Sequence, residues 1–295
     1  MKKITYILIA TLLISASCTR HERIRPSGNL VTETYSNFGA AITGIHVSDE
    51  ATLYVSEGDK DQLEITIDDN VLPHLNLEQI REDVYIDFDA ISFLGKGANI
   101  TIRATVRDLK KLALSGASQG YLDSMQCDEL RIDVAGSSNL EGDVYAQTCV
   151  IDLSGSSVFS GIIDANSVEA EVKGSSEFDG KVYADKYSVR LSGSSEYSGA
   201  IFANSVKVKQ SGSSEMEVEG ECGELDLDLE DASRFLDYEM SCDDLNAKLS
   251  GASHVRCTVF ETLRCRLSGA STLRYDGYPR LVEHDLSGSS DLKPR

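Results

Sequence analysis

Three sets of side chains in this sequence have the types and spacing to do chemistry: a row of serines, a row of carboxylates and a short row of aromatics. The serines sit in a recurring Gly-Ser-Ser or Gly-Ala-Ser triplet. Its glycines are Gly116, Gly136, Gly155, Gly174, Gly193, Gly212, Gly251, Gly269 and Gly288, with Asp231-Ala232-Ser233 in the one gap. A serine acts as a nucleophile only beside a base, and no particular triplet is supplied with a histidine. A hydroxyl at one corner of every repeat instead predicts a ladder that satisfies backbone groups turned inward. The carboxylates Asp133, Asp152 and Glu171 would lie near 5 Å apart if stacked, a spacing open to acid–base or calcium chemistry. The aromatics Tyr145, Tyr183 and Phe202 would form an outward stripe able to bind a glycan or peptide, or to dock another subunit.

The elements that position these residues follow from the repeat. Successive triplets are 20, 19, 19, 19, 19, 19, 20, 18 and 19 residues apart, the mark of a solenoid in which each turn buries its apolar face against its neighbours. Before each triplet, positions two, four and six residues back are apolar, as in Leu153, Ile151 and Cys149 or Leu191, Val189 and Tyr187, with charged residues between them. That alternation predicts a strand with one inward face. A second strand follows the triplet, with Leu140, Phe159, Phe178, Tyr197, Met216 and Phe235 inward. The small residues Ala146, Ala165, Ala184 and Ala203 then precede Asn166-Ser167, Asp185-Lys186 and Asn204-Ser205, which supply a second corner. Each turn is thus strand, Gly-Ser-Ser corner, strand, Asx corner, and equivalent positions pair in parallel. The fold class is all-β, a parallel β-helix of about ten turns and near 48 Å in length. Residues 35–112 read as less regular β coils that cap the rod, with a short helical piece within Val71 to Ile80, and 113–295 as the regular repeats.

The chain starts Met1-Lys2-Lys3, runs through the apolar stretch Ile4 to Ile14 and reaches Ser15-Ala16-Ser17-Cys18. This pattern is an export signal over residues 1–17, and it resembles a bacterial lipoprotein signal, with Ser15 where leucine is more usual. The resemblance implies that Cys18 is lipidated and that residues 18–34 are a polar tether to the membrane. The formal charge of −20 argues against nucleic acid, which needs a basic footprint. Of the seven cysteines, the six after Cys18 form no CxxC pair, and the five histidines are scattered, so no metal site or cofactor is expected. Cys222 and Cys242 should lie directly above one another, at a spacing that favours buried thiols over a bridge.

Phe38 to Val47, Ala51-Thr52-Leu53-Tyr54-Val55, Leu63 to Ile67, Val84-Tyr85-Ile86 and Leu109 to Ser118 follow one another in an order that resembles the "putative auto-transporter adhesin, head GIN domain" family of Bacteroidetes-type lipoproteins. The resemblance covers nearly all of residues 35–295. It implies a right-handed parallel β-helix in an envelope or surface setting, and no catalytic residues.

Together these readings predict a non-enzymatic cell-envelope lipoprotein, anchored at the outer membrane by Cys18, whose rod serves adhesion or binds a glycan or protein partner. A self-associating scaffold is the alternative. A polysaccharide lyase or hydrolase is third, because the constant step leaves no room for the inserted loops that build clefts on such rods.

Overall fold

The computed structural model describes residues 22–88, 91–93 and 99–295. Cys18 and the stretch read as an export signal lie outside them. From Gln119 onward the chain forms eight long strands of 14 to 17 residues, Gln119–Val134 through His254–Leu267, each hydrogen-bonded in parallel to the next. The alternation read from the sequence determines what is inside. Leu153, Ile151 and Cys149 are fully buried, as are Phe159, Phe178, Tyr197, Met216 and Phe235 on the second strand. Phe178 packs between Phe159 (centroids 5.1 Å apart) and Tyr197 (4.6 Å), so the core carries its own aromatic ladder.

The turn has more bends than the sequence suggests. The predicted Asx corner does not break the strand. Pairing runs on at Ala165↔Ala184 and resumes at Ser167↔Lys186, losing only the rung at Asn166 and Asp185. There the side chains pair instead: the Asn166 amide donates to Gln147 and the Asn204 amide to Asp185, both at 2.6 Å. A further bend falls at Gly142, Gly161 and Gly199, where φ lies between 139° and 152°. A Cβ on Gly161 would sit 2.0 Å from the Gly142 carbonyl oxygen, so only glycine lets consecutive turns stack there.

The stack extends past the regular triplets. Gly44–Val47 pairs in parallel with Lys111–Leu114, and Thr52–Glu57 with Gln119–Val134, with Asp49 (φ 71°) at the corner in place of glycine. Outside that coil, Asp83–Phe88 pairs in parallel with Gly44–Val47 and Thr101–Val106 with Thr52–Glu57, so the coils are not stacked in chain order. The antiparallel strands Leu75–Ile80, Gln62–Asp68 and Leu30–Tyr35 complete this end. Two expectations change here. The helical piece is a single 3-10 turn, Leu72–His74, and Leu75–Ile80 is strand. The stretch read as tether is also ordered in part: the Gly28 N–H donates to Asp68 at 2.6 Å, and Leu30–Tyr35 then pairs with Gln62–Asp68. The penultimate strand, Arg280–Leu286, is exposed throughout, which places His284 at the surface.

Candidate functional site

The serine row is a corner. The second serine of each triplet from Ser118 to Ser271 is at most 1 % exposed. In several turns its hydroxyl closes the corner on the carbonyl three residues back, at 2.9 Å for Ser118 to Ser115, 3.1 Å for Ser214 to Ser211 and 2.8 Å for Ser271 to Ser268; in others, as at Ser157 and Ser195, it accepts from the N–H three residues back. Gly116-Ala117-Ser118-Gln119-Gly120 does have the Gly-x-Ser-x-Gly spacing. A nucleophile elbow exposes its serine. Ser118 is wholly buried and also donates to the Asp49 carbonyl at 2.9 Å, so the match is one of spacing alone.

The carboxylate row is an ion-pair ladder. Arg131 bridges Asp133 (2.7 Å) and Asp152, Lys173 meets Glu171 at 2.8 Å and Asp152 at 3.9 Å, and Arg190 meets Glu171 at 3.7 Å. The hydrogen bond from Lys173 holds the Glu171 carboxyl below its usual range. A general acid needs the opposite shift. Arg190 joins this ladder, whereas Lys207 and Lys209 have no carboxylate within 4 Å among the described residues.

The six cysteines after Cys18 are free thiols, with Cys222 and Cys242 on adjacent rungs. Burial pushes the Cys149, Cys222 and Cys257 thiols up to about 12, which keeps them protonated and unreactive at neutral pH. Gln210, in an otherwise aliphatic column, donates to the Arg234 carbonyl at 2.9 Å.

The aromatic row alone lines open space. Tyr145, Asp164, Tyr183, Phe202 and Glu221 fall on successive rungs of one outward column. Tyr183 and Phe202 stack with centroids 5.2 Å apart and planes within 10°, and Tyr183 is 39 % exposed. Beside this column runs the small one, half-buried at Ala146, Ala184 and Ala203, and beyond it the Asx column. A bend floored by small residues between taller walls makes a groove along the rod. It opens to about 430 Å³ between Phe202, Ala203, Cys222 and Phe260, and to about 640 Å³ around Tyr145, Ala146 and Asp164. The structure thus brings Tyr183 and Phe202 into contact and sets Tyr145 two rungs away, about 10 Å, with only Asp164 between.

Sequence reasoning misses two contributors. Phe260, 56 % exposed, is pushed out by an irregularity between Cys242↔Val259 and Asp244↔Thr262; the 18-residue step in that turn is its only signal. Tyr54 and Tyr121 stack at 5.0 Å with Arg103 4.7 Å from the Tyr54 ring, forming a second aromatic surface near the capped end.

Comparison with known proteins agrees with this architecture. The model of the "putative auto-transporter adhesin, head GIN domain" family matches residues 41–184 and 168–279. The chain belongs to this family. Solved structures with the same fold include a "putative adhesin" from Parabacteroides merdae (16 % identity, 93 % of this chain and 99 % of that one, TM-score 0.51). Another "putative adhesin", from Parabacteroides distasonis, has 16 % identity over 92 % of this chain and 100 % of that one, TM-score 0.55. A "putative lipid binding protein" from the same species has 16 % identity over 93 % and 100 %, TM-score 0.54. No curated protein matches the chain in sequence. Among the described residues no helix is long and apolar enough to cross a membrane.

Proposed function

We propose that this head GIN protein is a non-enzymatic adhesin of the cell envelope, held to the outer membrane through a lipidated Cys18, and that it binds a glycan along the aromatic groove. The observation that carries the reading is the gap in the aromatic column. Tyr183 and Phe202 cover each other's facing surfaces, but the far face of Tyr183 looks across Asp164 toward Tyr145. That interval, about two rungs, admits one ring between two aromatics with a carboxylate at its base. Asp164, Asn166, Asp185 and Glu221 offer hydrogen-bond partners to hydroxyls along the same groove. Their negative charge selects a neutral or amino sugar over an acidic one.

The experiment is a glycan array probed with the wild-type protein and with Tyr183→Ala/Phe202→Ala. Loss of binding in the double variant supports the groove; unchanged binding of every ligand overturns it. Protease accessibility of the protein on intact cells tests surface display. Concentration-dependent light scattering without ligand would favour the scaffold reading instead.

A further inference from the structure

On a chain of net charge −20, one surface column turns basic. Along the outer face of the strand that follows each triplet, Asp179, Ser198 and Glu217 occupy successive rungs. After Leu236 the same column continues as Arg256, Arg274 and Lys293. In the neighbouring column Glu177, Glu196 and Glu215 give way to Arg234, which pairs with Glu215 at 3.1 Å, and then to His254 and Thr272 before Asp291 ends it. Arg256 and Arg274 are exposed, in register and about one rung apart, and like charges placed directly opposite destabilise a sheet. Other stacked cations on this rod are relieved. Lys248 and Arg266, for example, are paired with Asp228 (3.5 Å) and Glu283 (2.8 Å). Among the described residues, Arg256 and Arg274 form the one in-register cation pair in which neither member has a carboxylate within 4 Å. They line a depression of about 450 Å³ together with Arg234, His254 and Thr272. The Thr272 hydroxyl is hydrogen-bonded to His254 Nδ1 at 2.5 Å, which fixes both side chains beside the guanidinium groups.

We propose that these last turns form an oxyanion site for a phosphate monoester or diphosphate group. Two guanidinium forks one rung apart match the oxygens of such a group and would exchange their mutual repulsion for charge-assisted hydrogen bonds. The acidic rungs at Glu215 and Glu217 close the site on one side, so it takes a compact anion and repels a long polyanion. This site is independent of the aromatic groove and selects ligands of opposite character.

The phosphate could be free or a lipid headgroup, and two probes separate the sources. Titration calorimetry with pyrophosphate should show binding that weakens with ionic strength. Flotation with phosphatidylcholine vesicles containing phosphatidic acid should show recruitment only if a headgroup is the ligand. Arg256→Gln/Arg274→Gln should weaken binding of the active probe by about tenfold or more. Lys207→Gln/Lys209→Gln, on the other outer face, should leave it unchanged. All four side chains project from the surface, and far-UV circular dichroism checks that both variants fold. The proposal is overturned if neither probe binds the wild-type protein, or if the two double variants lose affinity equally.

Discussion

At the Gly-Ser-Ser corner the side-chain hydroxyl points into the rod and bonds a backbone carbonyl; at the bend around Asn166 and Asn204 the polar side chains point out and bond one another. Both bends recur every turn and are built from small and polar residues, yet one is inside and one outside. The difference follows from backbone geometry. Gly155 has φ of +84°, and its triplet lies against the triplets of adjacent turns, as in the Ser156 N–H bond to the Gly136 carbonyl at 2.8 Å. The strand at Asn166 keeps its pairing on either side and gives up a single rung. The first bend therefore sets register, and the second is free to vary what it presents. Tyr145, Asp164, Tyr183, Phe202 and Glu221 vary within one column next to that second bend.

The largest effect that would break this contrast is at the corner glycine. In Gly155→Ala the new Cβ would lie 2.6 Å from the Gly136 carbonyl oxygen while the backbone keeps a left-handed φ. Backbone strain and the clash together should destabilise by about 3 kcal/mol or more. Urea unfolding followed by circular dichroism measures it. A loss under about 1 kcal/mol would mean the corner can relax, and would remove its claim to set register.

The capped end tests whether a corner without glycine needs other support. Its coil turns at Asp49 and is held by Asp61, a nearly buried carboxylate that accepts from Arg107 Nη2 (2.6 Å), the Arg107 N–H (3.1 Å) and the Ile42 N–H (3.2 Å). Burial alone would raise the Asp61 pKa, but these donors outweigh it and hold the carboxyl below its usual range. Asp61 should therefore add stability that is present above its unfolded value, about pH 4, and is lost as pH falls through the lower folded value. Asp61→Asn should cost about 2 kcal/mol at neutral pH, mostly through the backbone N–H groups, since Arg107 is half exposed and its pairing is screened. The gap between wild type and variant should narrow on acidification below about pH 4. A gap independent of pH down to pH 2 would show that the charge is not what matters.

The same contrast explains what was legible in the sequence. Inward columns could be read because strand alternation and a constant step reveal them, and the triplet could be phased because its neighbours are apolar on both sides. The groove was half legible: Tyr183 and Phe202 stand one step apart, so their stacking follows from the register. Phe260 was not, because the irregularity that expels it follows a larger loss of residues after Leu236↔Arg256, and the two together leave only a shortened step. Nor was the Tyr54–Tyr121 stack, whose members are 67 residues apart in sequence and meet only because the first coils are stacked out of chain order. The bend at Gly161 is visible as a glycine column, but nothing in the alternation distinguishes it from a weak strand position.

A smaller effect separates the two bends at the level of one hydrogen bond. Ser157 is fully buried; its hydroxyl donates to the Val134 carbonyl at 3.0 Å and accepts from the Ser154 N–H at 3.1 Å. Ser157→Ala removes both bonds in a site closed to water, while the Ser154 N–H and the Val134 carbonyl keep their bond to each other at 2.9 Å, so the cost should be about 1 kcal/mol. Asn166→Ala removes a bond of 2.6 Å to Gln147, shorter than either of the serine's, yet both amides are exposed and water replaces each partner. Its cost should stay below about 0.5 kcal/mol. Measured as a pair by urea unfolding, the two substitutions ask whether burial or bond length decides. If Asn166→Ala costs as much as Ser157→Ala, the outer amide ladder is also setting register, and the groove beside it is less free to vary than its composition indicates.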